Sequence, residues 1–253
     1  MSRNYDVLRQ LERAGKYADA PCATSCKSGD LSSLAVANEA RYRLNGDALI
    51  PEISKLVQKT FLQTEFGTVR TIVFAPVEHV RNHWWASRAG EVLANQHIGT
   101  VCVVDANLQE PSVHEYFGIE NGFGLTAALQ KDDPVESFAR RLPNSNLAVI
   151  TAGEYVPNWS SMLASELMVH RVSDLRHFFD FVLIEGPPLK DFSSSLVLAR
   201  SIDGIILMVE ANSTKRELVQ QVRTELDASN VRILGAVLNN RKFPIPEALY
   251  SML

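Results

Sequence analysis

The sequence predicts an α/β protein with a doubly wound, mostly parallel sheet that carries helices on both faces. From Val69 onward, short apolar runs alternate with segments of helical periodicity, which is typical of βαβ units. These runs are apolar at nearly every position, as expected for strands covered on both faces. Right-handed crossovers then place the functional edge of the sheet at the carboxyl ends of its strands.

The chain before the first strand predicts a separate N-terminal arm, residues 1–46. Apolar residues at helical spacing predict a short amphipathic helix at its start. They are Tyr5, Leu8, Leu11 and Ala14. Residues 18–45 lose this periodicity and are rich in small polar side chains, so we expect a flexible linker there.

The main domain is expected at 47–240, and a Pro-containing tail at 241–253. The predicted elements of the domain are a helix capped by Asp47, a strand at 69–74, a helix, strands at 101–105 and 147–150 with a short helix at 125–130 between them, a long helix at 162–178, a strand up to Glu185, a helix at 196–200, a strand at 204–210, a helix at 215–228 and a strand at 231–238.

The turn after the first strand lies where a phosphate-binding loop is expected. Such a loop reads G-x-x-x-x-G-K-[ST], because glycines let backbone N–H groups wrap phosphates and the lysine neutralises them. No glycine or lysine occurs from Thr68 to Ala89. The sequence therefore predicts the frame of a P-loop with a degenerate Walker A motif.

Three later motifs carry a resemblance to a known family. Residues 101–118 read VCVVDANLQEPSVHEYFG, residues 179–188 read FDFVLIEGPP, and residues 235–239 read GAVLN. In this order they resemble the second Walker-type motif, the Walker B strand and the last strand of the bacterial tyrosine kinases of capsule and exopolysaccharide synthesis. That family is a branch of the MinD/ParA-type P-loop ATPases. The resemblance covers roughly residues 50 to 250.

The resemblance implies an ATP and Mg²⁺ site, and this sequence departs from it. Asp105 matches a residue that in the family helps to hold Mg²⁺ through water. Asn239 matches a residue that in the family faces the adenine. Asn107 replaces a carboxylate, and Glu185 stands where an aspartate is expected, with its oxygens displaced by about 1 Å. With Arg81 as the cation left in the turn, these five residues form a vestigial nucleotide site. We expect no catalytic residue, metal or cofactor; weak binding of ATP and Mg²⁺ is the alternative.

The function that these features imply is a catalytically inactive, tyrosine-kinase-like regulator or scaffold in exopolysaccharide or capsule synthesis and export. Its expected partner is a membrane polysaccharide co-polymerase or export protein, and we also hypothesise a homodimer through the turn that carries Arg81, Trp84 and Trp85. One alternative is an impaired, ATP-binding tyrosine kinase or ATPase of the same pathway. Another is a MinD-like positioning module that binds a membrane protein.

Composition excludes other functional classes. A formal charge of −4 and a pI near 5.9 favour no nucleic-acid partner. No apolar run approaches the ~18 residues of a membrane span, so we expect a cytoplasmic protein recruited to the inner face of the membrane by a partner. Two metal sites are weaker hypotheses: the Cys22–Cys26 pair lacks further ligands, and His79, His83 and His114 are better interpreted as polar turn residues.

Overall fold

The computed structural model describes residues 50–62, 68–79, 84–191 and 201–239. Several predictions therefore lie outside the described residues. They are the N-terminal helix and linker, Arg81, His83, the Cys22–Cys26 pair, the helix at 196–200 and the Pro-containing tail at 241–253. Residues Ile53–Asn239 form one compact unit.

Seven strands form one sheet in the order β3-β4-β2-β5-β1-β6-β7. Their bounds are β1 Thr71–Pro76, β2 Val101–Asp105, β3 Arg140–Arg141, β4 Leu147–Ile150, β5 Phe181–Glu185, β6 Gly204–Glu210 and β7 Ile233–Asn239. Every pairing is parallel except that of β3 with β4. The predicted mostly parallel sheet is confirmed.

Seven α-helices connect the described strands or precede them. They are α1 Ile50–Val57, α2 Trp85–Asn95, α3 Val113–Phe117, α4 Leu125–Ala128, α5 Trp159–Leu163, α6 Glu166–Phe178 and α7 Arg216–Ala228. A π-helical turn, Gln58–Leu62, continues α1. Short 3₁₀ turns lie at Val135–Phe138 and Leu189–Asp191. Among the described helices, none combines the length and apolar composition that a membrane crossing requires.

Helices cover both faces of the sheet. On one face, α2 packs so closely that a Cβ atom at Gly90 would lie 2.4 Å from Val103 Cγ2. On the other face, Leu175 of α6 and Val222 of α7 join the core cluster that contains Cys102 and Val104 of β2. Because neighbouring residues of a strand point to opposite faces, β2 is buried on both sides, as its continuous apolar run predicts.

The predicted single helix over 162–178 is wrong, because the chain forms two helices there. Helix α5 ends at Leu163, and Ser165 adopts extended dihedral angles before α6 begins. The Ser165 hydroxyl accepts a hydrogen bond from the Met168 N–H at 3.2 Å and donates one to the Met162 carbonyl at 2.7 Å. This local cap starts a new helix within an otherwise periodic apolar stretch.

Candidate functional site

Asp105 ends strand β2 with its carboxyl group fully buried. Its Oδ1 accepts a hydrogen bond from the Asn107 N–H at 3.1 Å, and its Oδ2 accepts from the N–H groups of Ser112 and Val113, both at 2.9 Å. Burial raises the pKa of Asp105 to about 7, against the opposing effect of these three bonds. Both oxygens are therefore used to shape the loop that leads into α3.

Glu185 ends strand β5 and is the register partner of Asp105. Its Oε2 accepts a hydrogen bond from the Ala86 N–H at 3.0 Å, within the first turn of α2. Its Oε1 is buried without a hydrogen-bond partner in the described chain. Burial raises the pKa of Glu185 well above its usual range, the Ala86 N–H opposes that rise, and the Asp105 charge adds to it. Burial and the neighbouring Asp105 thus both favour the neutral form of the Glu185 carboxyl group.

The first turn of α2 is thus hydrogen-bonded to a side chain of the same protein, Glu185. The N-terminus of a helix exposes unpaired N–H groups and the positive end of the helix dipole, so it favours the binding of anions such as phosphate. In a P-loop protein the helix after the first strand provides this environment for the nucleotide. Here one of its N–H groups binds the carboxyl group of Glu185 instead.

Trp84, in the turn before α2, packs against the loop before α3 and against α3 itself. Its indole Nε1 donates to the Ser112 carbonyl at 3.1 Å, and its ring centroid lies 5.7 Å from that of Tyr116. Only 8% of Trp84 is exposed, whereas Trp85 is half-buried. Trp84 therefore connects the beginning of α2 to the loop before α3, rather than offering its ring to a partner.

The polar groups beside this contact are also engaged. The Tyr116 hydroxyl donates to Glu91 Oε2 at 2.5 Å. Burial raises the pKa of Glu91, although the bond from Tyr116 and the charge of Arg88 act against that rise. Trp84, Tyr116 and Glu91 thus form a connected layer between α2 and α3.

The predicted site residues are only partly brought together. Asn107 is buried next to Asp105, and its side-chain Oδ1 accepts from the Glu110 N–H at 3.3 Å, so the amide supports the turn. Asn239 ends β7, three strands from β5 in the sheet, and its Nδ2 donates to Glu210 Oε2 at 3.1 Å. Asp105, Asn107 and Glu185 therefore form one cluster, with Asn239 apart from it and Arg81 outside the described residues.

No histidine cluster forms within the described part of the chain. His79 Nδ1 lies 3.5 Å from Glu110 Oε2. No group of three metal-ligating side chains is found among the residues that the structure describes. The hypothesis of a histidine metal site thus gains no support, and His83 lies outside those residues.

The cluster of Asp105 and Glu185 does not fit a Mg²⁺–nucleotide site as it stands. Mg²⁺ needs ionised oxygen ligands in near-ideal octahedral geometry, usually with several waters. The Asp105 oxygens are committed to backbone N–H groups, and both carboxyl groups are fully buried with raised pKa values. What the cluster does is fix the loop before α3 and the first turn of α2 to the ends of β2 and β5.

Sequence reasoning missed the internal partners of these groups. The bond from the Ala86 N–H to Glu185 joins residues 99 positions apart, so no local pattern reveals it. The burial of Trp84 had no such signal either, because the helical spacing of Ala89 and Leu93 points to Trp85, which is only half-buried.

Sequence comparison relates the chain to known kinases. The tyrosine-protein kinase YwqD of Bacillus subtilis is 29% identical over 142 residues, which are 56% of this chain and 60% of YwqD. The tyrosine-protein kinase Etk of Escherichia coli K12 is 27% identical over 139 residues, 55% of this chain and 19% of Etk. Both of these relatives are bacterial tyrosine kinases. The matched segment thus spans less than two thirds of either relative, and the chain matches no protein-family model.

Solved kinase domains share the fold. The kinase domain of VpsO superposes with a TM-score of 0.68 at 23% identity, covering 80% of this chain and 98% of that domain. The kinase domain of Escherichia coli ETK gives a TM-score of 0.63 at 20% identity, covering 88% and 86%. The predicted MinD/ParA-type P-loop NTPase fold is therefore confirmed, as is the resemblance to bacterial tyrosine kinases.

Proposed function

We propose that this chain is a catalytically inactive relative of the bacterial tyrosine kinases that acts as a regulator or scaffold in exopolysaccharide or capsule synthesis and export. The observation that carries the proposal is the bond from the Ala86 N–H to Glu185 Oε2 at the start of α2. An internal carboxyl group holds an N–H that a nucleotide phosphate requires in a working P-loop.

Electrostatics support the same proposal. A nucleotide phosphate at the start of α2 would approach two buried acids at the ends of β2 and β5. Phosphoryl transfer needs preorganised donors, a lysine and a metal around the developing negative charge. The turn sequence supplies no lysine and no glycine, and Trp84 packs beside the cluster. Binding of Mg-ATP would therefore require the contact of Ala86 with Glu185 and the packing of Trp84 to be broken.

A chain without phosphoryl transfer contributes to the pathway through its surfaces. We propose that its partner is a membrane polysaccharide co-polymerase or export protein, which recruits it to the inner face of the membrane. A homodimer is a further mode of assembly. Because Trp84 is 8% exposed and hydrogen-bonded internally, a dimer contact at this edge would rest on Trp85 and not on Trp84.

A complementation experiment tests the proposal. Polymer yield would be measured in a strain that lacks this chain and carries either the wild type or the double variant Asp105→Asn, Glu185→Gln. A scaffold role predicts equal yield, provided that thermal melting shows the variant folded. A single Gln220→Ala variant, exposed on α7 and away from the acid pair, is the matched control for expression. Loss of polymer with the folded double variant, together with loss of ATP turnover, would favour the impaired kinase instead.

A further inference from the structure

The outer margin of strand β7 is an open edge of the sheet. Strand β7 ends the sheet on the side away from β3, and within the described chain it pairs with β6 alone. Apolar strands of a parallel sheet are normally covered on both faces. In β7, however, Gly235 and Ala236 are exposed, and Leu238 is 42% exposed. No side chain from Ile233 to Leu238 is charged, so the margin carries no feature that repels a further strand.

Backbone groups along this margin are oriented towards a further strand. The Ala211 N–H donates to the Asn239 carbonyl at 2.8 Å, so the backbone of Asn239 faces β6. The backbone groups of successive residues point to opposite sides of a strand, so those of Ala236 and Leu238 face outward. A Cβ atom at Gly235 would have no neighbour within 4 Å from the described chain, so the surface beside these groups is open as well. The margin can therefore accept a strand through hydrogen bonds.

Helix α7 presents a polar flank towards the same margin. Its buried side, with Val222 and Leu226, joins the core cluster that contains Ile205 of β6. A crossover between parallel strands is right-handed, and the residues of a helix advance clockwise by about 100° each when viewed from its first residue. These two senses of rotation determine which flank of α7 faces the margin. That flank carries four exposed residues, Arg216, Gln220, Arg223 and Asp227.

We propose that the β7 margin pairs with the β7 margin of a second copy of this chain, antiparallel and about a two-fold axis. In the register centred on Ala236, the exposed Leu238 of each copy lies opposite Leu234 of the other, as an apolar cross-strand pair. Neighbouring strands are about 4.8 Å apart. Because α7 lies over β6 and β7, two such spacings separate the two α7 helices, and the resulting distance of about 10 Å is one at which helices pack.

The outward flank of α7 is complementary to itself in this arrangement. The two helices are antiparallel, so Arg216 of one copy lies beside Asp227 of the other. Within one chain these two residues are eleven positions apart, or about 16 Å along the helix, which is too far for an ion pair. Asp227 Oδ2 lies 3.5 Å from Arg223 Nε of the same helix, which leaves Oδ1 for the guanidinium group of the second copy. This charge pattern therefore favours a second copy over an unrelated partner.

The contact is separate from the nucleotide edge. Strands β1 and β6 lie between β7 and β5, the strand that ends in Glu185. The dimer does not involve Trp85, on which a dimer at the nucleotide edge would rest. Because an isologous pair uses the β7 margin of both copies, the assembly closes at two chains. The inference goes beyond the proposed scaffold role, since it gives the homodimer a surface and does not depend on catalytic inactivity.

Sedimentation velocity of the full chain at increasing concentration tests the inference. We expect an equilibrium between monomer and dimer. Ala236→Lys and Leu238→Lys each place a lysine in the paired margin of both copies, and each should raise the dissociation constant at least about tenfold. Both side chains are exposed, so folding should persist, and thermal melting checks this. Gln130→Lys adds the same charge at an exposed position after α4 and should leave the dimer unchanged.

A charge exchange on α7 identifies the partner as a second copy. Arg216→Glu and Asp227→Lys each bring like charges together across the dimer, and each should raise the dissociation constant about two- to thirtyfold, the worth of two exposed ion pairs. The double variant restores opposite charges and should recover the wild-type dissociation constant. Each single change also suits the helix dipole, so weaker dimerisation would not arise from a weaker helix. Gln220→Ala, which changes no charge on the same flank, should leave the dimer intact.

Three outcomes would overturn the inference. They are a chain that stays monomeric at submillimolar concentration, a dimer that persists in the folded Ala236→Lys and Leu238→Lys variants, and a double charge variant that dimerises as weakly as the single ones. Loss of the dimer in Trp85→Ala, with the lysine variants still dimeric, would place the contact at the nucleotide edge instead. ATP binding by a β7-paired dimer would refute the inactive-site proposal alone, so the two can fail separately.

Discussion

Asp105 and Glu185 are register partners at the ends of adjacent parallel strands, and both carboxyl groups are fully buried. Each holds backbone N–H groups of the segment that follows a strand: Asp105 those before α3, and Glu185 one at the start of α2. Two buried acids this close cannot both ionise cheaply. Burial raises the pKa of both groups, and this leads to a measurable pH dependence of stability.

The stability of the protein is predicted to fall as the pH rises from about 4 towards about 7. Unfolded carboxyl groups ionise near pH 4, whereas burial raises the pKa of Asp105 to about 7 and raises that of Glu185. In this window the folded state holds more protons than the unfolded state, so the free energy of unfolding decreases with pH. Urea denaturation at several pH values measures the slope.

Matched variants assign this slope to the acid pair. Glu185→Gln and Asp105→Asn remove one titrating group each and should flatten the pH dependence, whereas Glu91→Gln should remove a smaller contribution of the same sign, since the pKa of Glu91 is also raised by burial. Stability that is constant or increases through the window would contradict the protonated pair.

Removing the Trp84 side chain should destabilise the fold strongly. Because Trp84 is 8% exposed, Trp84→Ala should cost about 3–5 kcal/mol in the free energy of unfolding. Trp84→Phe keeps most of the packing but loses the bond to the Ser112 carbonyl, for a cost of about 1–3 kcal/mol. Half-buried Trp85 is the matched control, and Trp85→Ala should cost less than Trp84→Ala in urea denaturation. Equal costs would show that Trp84 is not the main anchor.

Mg-ATP is predicted not to bind usefully. Glu185 binds an N–H group at the start of α2, so a phosphate there would have to displace this buried contact. Isothermal titration at millimolar Mg-ATP should show no saturable heat, and ATP should leave the melting temperature unchanged. A kinase domain with an intact G-x-x-x-x-G-K-[ST] loop is the positive control. A dissociation constant in the micromolar range would refute the inactive-site proposal.

Purified protein incubated with ATP should gain no phosphotyrosine. The phosphate-binding lysine is absent from the turn, and Tyr250 is the only tyrosine in the tail of residues 241–253. Mass spectrometry of the intact chain and of its tryptic peptides checks this prediction. ATP-dependent phosphate on Tyr250 that disappears in a folded Asp105→Ala variant would instead support the impaired kinase.

The strands at the centre of the sheet could be predicted from sequence because apolar runs mark them. Strands β2 and β6 have the bounds predicted for them, 101–105 and 204–210. Strand β3 was missed, since Arg140 and Arg141 carry no apolar signal and their pairing with β4 is made by the backbone. The break at Ser165 was missed because apolar periodicity continues on both sides of it, while the local cap decides the helix boundary.

The candidate site was predictable in its position but not in its contacts. Parallel strands bring Asp105 and Glu185 to one edge, as expected from their places at strand ends. The hydrogen-bond partners of each carboxyl group depend on how α2 and α3 pack on the sheet. No spacing in the sequence specifies that packing.

The two-residue strand β3 also protects this sheet against self-association. A sheet margin with unpaired backbone groups can recruit a strand from another molecule, and natural proteins counter this with short strands and charged side chains. Strand β3 has both features, because it consists of two exposed arginines, Arg140 and Arg141. A second molecule approaching this margin would have to bring its own β3 guanidinium groups against these. Like charges directly opposite one another are destabilising in paired strands, so fibre-like stacking through β3 is disfavoured even at high protein concentration.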